Sequence, residues 1–166
     1  MKGISKFLFL ALATVALAAC NESDENQFRE SQYLLHRIGS APISGQVTFT
    51  ELEPAKIQAF IELDNTTEGL PFPAHLHFGN VGETGELAFR LNDVDGGSGE
   101  SLTVLDKVEL TNGETLTFDL LQSMNGSVKI HLNDSFFKNI AVSSGNIGVN
   151  ATDFSVFDGI AVCTGH

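Results

Sequence analysis

Residues 71–80 read PFPAHLHFGN. Successive side chains of a strand point to opposite faces, so His75 and His77 share one face while Leu76 and Phe78 share the other. The apolar pair takes the core, which turns both imidazoles away from it. The same test on residues 127–134, SVKIHLND, sends Val128, Ile130 and Leu132 inward and Lys129, His131 and Asn133 outward. Two strands of one sheet, apolar inside and histidine-bearing outside, are therefore predicted.

The surrounding chain has the same grain. From Ile43 onward short β-rich runs follow one another: QVTFTEL, KIQAFIEL, ELAFRL, SLTVLDKVEL, ETLTFDL, NIAVSS and FSVFDGIAV. Breakers such as Glu68-Gly69, Gly96-Gly97 and Asn112-Gly113 separate them, and Asn125-Gly126-Ser127 reads as a hairpin turn. No long helical period occurs, although LTFDLLQSM can form one helical turn. Seven to nine short strands at this spacing predict an all-β fold, a single antiparallel β-sandwich or barrel.

The chain opens MKGISKFLFLALATVALAAC, with Lys2 and Lys6 before an apolar run from Phe7 to Ala19. As a helix that run reaches roughly 20 Å, short of the roughly 30 Å of a bilayer core, so residues 1–19 read as a secretory signal. Leu17-Ala18-Ala19-Cys20 resembles the lipobox of bacterial lipoproteins, which implies that Cys20 carries a lipid. Residues 20–40 are then the lipidated cysteine and a polar tether, with a short helical turn at YLLHRI. Residues 41–166 form one domain, being too few for two. The expected location is the cell envelope, lipid-anchored to a bacterial membrane, the outer membrane by preference. The acidic ESDE after the cysteine resembles surface-export signals of some lipoproteins.

Formal net charge is −12, and loss of Lys2 and Lys6 with the signal takes it to −14. So acidic a chain is a poor partner for phosphate backbones, and nucleic-acid binding is excluded. With Cys20 claimed by a lipid, Cys163 has no intramolecular partner, and stability must come from a hydrophobic core.

Imidazoles at i and i+2 on one strand face stand roughly 6–7 Å apart at their α-carbons, a span that two rings can close around one ion. His131 on a neighbouring strand would complete a three-nitrogen set suited to copper or zinc. Such a site is expected to weaken as pH falls through roughly 6.5, because imidazolium cannot ligate. The competing reading is a plain surface strand, since exposed histidines are common.

The stretch from Ile43, ISGQVTFTELEPAKIQAFIELDNTTEGLPFPAHLHFGNVGETG, resembles the first half of copper,zinc superoxide dismutases and of the related CHRD domains. The later pieces LNDVDGGSG, SVKIHLND and SSGNIGVN look more like the CHRD domains of bacterial envelope proteins. The resemblance covers about 105 residues and implies a Greek-key sandwich with His75, His77 and His131 at the positions of copper ligands. Two departures weigh against dismutation. No histidine lies between His77 and His131 to bridge or to bind zinc, and no lysine or arginine follows Gly145. The resulting expectation is a lipid-anchored envelope protein that binds a metal ion. The alternatives are a metal-free module contacting envelope or extracellular proteins or glycans, and a dismutase-like redox enzyme.

Other candidates are weaker. Cys163 and His166 can form a thiolate–imidazole pair for Cu(I) or Zn(II), but the apolar run before them suits a buried free thiol better. His36 falls in the tether and is assigned no role. DVDGGSGES, residues 93–101, lacks the oxygen spacing of an EF-hand and reads as a tight solvated turn. No G-x-S-x-G elbow or phosphate loop occurs.

Overall fold

The computed structural model describes residues 28–83, 85–132 and 140–152. Its elements in chain order are β1 (Glu30–Arg37), β2 (Ser44–Glu53), β3 (Lys56–Asp64), β4 (Pro71–Phe72), β5 (Ala74–Phe78), β6 (Leu87–Arg90), β7 (Val94–Asp95), β8 (Glu100–Asp106), α1 (Phe118–Ser123), β9 (Asn125–His131) and β10 (Ala141–Gly148). Eight strands make one antiparallel sheet in the order β6-β5-β9-β10-β1-β2-β3-β8, and β4 pairs with β7. The fold is all-β, as the alternation predicts.

The sheet curls so that its inner faces meet. Val47 and Phe49 of β2, Ile57 and Ile61 of β3 and Leu105 of β8 join Leu76 of β5, Val128 and Ile130 of β9 and Val142 of β10 in one apolar cluster. The half-exposed outer face of β3 alternates strictly with its buried one, the pattern of a sheet with one dry side. Burying such side chains stabilises by roughly 1.5–3 kcal/mol each before chain entropy is counted. Thr117 caps α1 by accepting a hydrogen bond from the Leu120 amide.

β1 is the strand on which the curl turns. Glu30–Leu35 pair with β2, while His36 and Arg37 pair with β10. This corrects the later part of the expected tether, because residues 30–37 lie inside the sheet as a strand rather than as a helical turn, while residues 20–27 lie outside the described residues. Tyr33 and Leu35 face inward, and the adjacent apolar pair Leu34-Leu35 hides the alternation. Arg29 just before it bonds Glu51 and Asp119 and lies over the Phe118 ring. A second correction concerns Asn125-Gly126-Ser127, which opens β9 instead of forming a hairpin turn. The DVDGGSGES stretch does make the tight turn expected, with Asp95 Oδ1 accepting from the amides of Gly97 and Ser98.

Candidate metal centre

β5 and β9 are neighbours, with His75 opposite Lys129, His77 opposite Ser127 and Ala74 opposite Ile130. That register puts His75, His77, Ser127, Lys129 and His131 on one face, away from Leu76, Val128 and Ile130. The sides are as expected, and Leu76, Val128 and Ile130 are buried, Phe78 and Leu132 partly so. The outward side, however, is not solvent. His77 is 5 % exposed, His131 1 % and Lys129 0 %.

The cover comes in part from the segment after β5. Val81, itself fully buried, donates its amide to Asn146 Oδ1 of β10 at 2.7 Å. Lys129 Nζ donates to the Glu83 carbonyl at 3.1 Å. The Gly85 carbonyl lies 3.0 Å from His77 Nδ1. Gly85 comes so close to β5 that a β-carbon there would sit 1.5 Å from the Phe78 carbonyl oxygen, so only glycine permits this approach. The loop after β5 therefore contributes to the burial of His77 and Lys129.

The three histidines converge. Each offers a nitrogen, and these atoms lie within 4.8 Å of one another. Ring centroids are 4.7 Å apart for His75 and His131, 5.9 Å for His75 and His77, and 6.3 Å for His77 and His131. Nitrogens bound to one ion at 2.0–2.1 Å stand roughly 3.3–4.2 Å apart. Closing the remaining gap takes ring rotation about a soft torsion.

Hydrogen bonds specify which nitrogens are presented. A carbonyl only accepts, so His77 carries its proton on Nδ1 toward Gly85 and leaves Nε2 unprotonated. That Nε2 is buried and has no hydrogen-bond partner. Leaving such an atom unmet costs about 1–3 kcal/mol, and an orienting bond on the opposite ring nitrogen is the habit of metal-ligating histidines. Arginine only donates, so Arg90 Nη1, 3.0 Å away, donates a hydrogen bond to His75 Nε2.

No protein-family model and no curated protein matches this chain. The site stands on its own geometry: His75, His77 and His131 form a group that can hold a metal ion.

Electrostatics departs from the sequence expectation. Burial, then His131, Arg90 and His77, pushes His75 down to about 3. Burial also lowers His77, with the Lys129 charge adding to it and the Gly85 carbonyl opposing it. The expected weakening near pH 6.5 assumed exposed imidazoles. Where burial disfavours the imidazolium, proton competition at these two residues moves to lower pH.

Arg90 is the residue that sequence reasoning missed. Its signal was ELAFRL following AHLHF, two antiparallel neighbours whose register places Arg90 opposite His75. His36 lies on β1 opposite Ser144, outside the histidine group. Cys20, the signal segment, Asn133, Cys163 and His166 fall outside the described residues.

Proposed function

We propose that this chain is a lipid-anchored cell-envelope protein whose β-domain binds a copper-family metal ion through His75, His77 and His131. The observation that carries the metal reading is the buried, unpartnered Nε2 of His77 in a group of three imidazoles whose ligand atoms lie within 4.8 Å of one another. Neutral imidazole suits copper and zinc alike, and the CHRD-like resemblance favours copper. The anchor rests on the Leu17–Cys20 pattern in the sequence and places the domain outside the cytoplasm, the outer membrane being the favoured site.

When bound, the ion would supply a Lewis-acidic or redox centre. The chain's own residues hold and orient it. Gly85 fixes the His77 tautomer, β5 and β9 set the spacing, and the Val81–Glu83 segment excludes water. A dismutase-like role is the second reading, favoured by the guanidinium of Arg90 beside His75. The histidine zinc ligands of dismutases still have no counterpart here.

Metal content after dialysis against a weak chelator tests the proposal. The parent protein should retain about one equivalent of copper or zinc, and His77→Ala should lose affinity by on the order of 100-fold, as for the loss of one of three ligands. Parent-like retention by His77→Ala would place the metal elsewhere, and none in the parent would remove it. A Cys20→Ser variant that still partitions with membranes would overturn the anchor.

A further inference from the structure

The three imidazoles bring no negative charge, so their ion keeps its full charge. Two cations share its surroundings. Arg90 bonds His75 Nε2, and the fully buried Lys129 stands directly opposite His75 across the β5–β9 ladder. Lys129 reaches the Glu83 carbonyl, a dipole and not a charge. Among the described residues, ion pairs join Arg29 to Glu51 and Asp119 and Lys56 to Glu53, and no carboxylate pairs with Arg90 or Lys129. Among the described residues, two cationic side chains without a carboxylate partner thus stand beside the histidine group of an acidic protein.

Coulomb repulsion from a fixed cation scales with the charge of the incoming ion, so a divalent ion incurs twice what a monovalent one does. Lys129 is fully buried, so solvent screens its share of that difference little, whereas Arg90 is exposed and its share is partly screened. Arg90 adds competition of another kind, since His75 Nε2 has one lone pair and the guanidinium already holds it.

Resting on the metal-binding reading, we propose that Arg90 and Lys129 bias the histidine site toward monovalent copper and against Zn(II) and Cu(II), and that in the metal-free protein Arg90 holds His75 Nε2, so that ion and guanidinium exchange for that lone pair. Cu(I) is content with two or three neutral nitrogen donors, whereas Zn(II) is normally four-coordinate. The His75 ring then keeps its proton on Nδ1 throughout, and exchange needs only the exposed Arg90 side chain to swing aside.

Competition with chelators of known affinity, using Cu(I) under anaerobic reducing conditions and Zn(II) separately, tests this on the purified chain, on Arg90→Gln and on Lys129→Met. Lys129→Met removes charge alone, so the Zn(II) gain should be the square of the Cu(I) gain, about 10-fold against about 3-fold for one unit charge at partly screened range. Arg90→Gln should tighten both ions through the freed lone pair and Zn(II) by a further factor of about 3. Equal gains for both ions in both variants would reduce Arg90 to a plain competitor and overturn the charge selection, as would no gain at all. Failure of the parent to bind any ion would instead sink the metal reading itself. If the buried Lys129→Met does not fold, the surface variant Arg90→Gln still decides through its ratio of gains.

Discussion

β8 and β9 are both seven-residue strands that bury polar side chains, and they do so to different ends. β8 turns Ser101, Thr103 and Leu105 inward and leaves Leu102 and Val104 exposed. Its buried hydroxyls are met. Ser101 Oγ donates to the Asn92 carbonyl and Thr103 Oγ1 accepts from the Asn92 amide, which ties the β8 edge to the segment just beyond β6. β9 buries Ser127, Lys129 and His131 on its outer face, and there the Ser127 hydroxyl and the His77 Nε2 opposite strand position 127 have no hydrogen-bond partner. Polar groups that are buried and satisfied hold a fold together. Those buried and left open lower stability, and they persist where something else is to fill them.

The largest effects test whether the two strands are equal on their inner faces. Leu105→Ala in β8 and Ile130→Ala in β9 each truncate a fully buried side chain, and each should cost about 2–4 kcal/mol in urea unfolding. A gap above about 2 kcal/mol between them would show that the halves do not share one core.

Acid should next probe the outer face that β9 shares with β5, through His75, which stands opposite Lys129. His75 stays neutral in the fold down to about 3, while the unfolded chain takes up a proton near 6.5. The stability that depends on its neutrality is complete above the unfolded value and declines as pH falls from there toward the folded one. For His75 the slope is at most about 1.4 kcal/mol per pH unit. Unfolding of metal-free protein between pH 7 and 4 reads it, and a His75→Phe variant with an unchanged slope would show that burial of this imidazole is not the cause.

Hydroxyl deletions separate the two strands directly. Thr103→Val leaves the Asn92 amide without its acceptor and should cost about 1–2 kcal/mol. Ser127→Ala removes a group that bonds nothing, so its effect should lie within about 0.5 kcal/mol of zero or be stabilising. Equal costs for both would erase the distinction between satisfied and open polar burial. The smallest effect belongs to Leu102→Thr on the wet face of β8, expected to change the urea midpoint by less than about 0.5 kcal/mol equivalent.

Period-two alternation made most of the sheet legible. Val47 and Phe49, Leu76, and Val128 and Ile130 are buried where the pattern puts them, because the pleat alone sends alternate residues to opposite sides. β1 was hidden by a polar start and by Leu34-Leu35, one of which must face out. β8 would be flipped by any rule that sends the more apolar set inward, since Leu102 and Val104 are exposed while Ser101 and Thr103 are buried. An edge strand that spends its hydroxyls on Asn92 obeys the partner, not the pattern. Gly145 in the GNIG segment is likewise explained by contact, as a β-carbon there would lie 2.0 Å from the Leu34 carbonyl oxygen.

The order of residues alone dictates that His75 and His77 share a face, that His131 faces away from its core-facing neighbours, and that the chain is β-built. These follow from backbone geometry acting over two residues. Tertiary structure alone decided that this face is covered, that the His77 proton sits on Nδ1, that Arg90 holds His75, and that Lys129 is buried beside them. Each depends on a loop or strand brought in from elsewhere in the chain, and no local rule encodes which carbonyl, or which charge, will arrive.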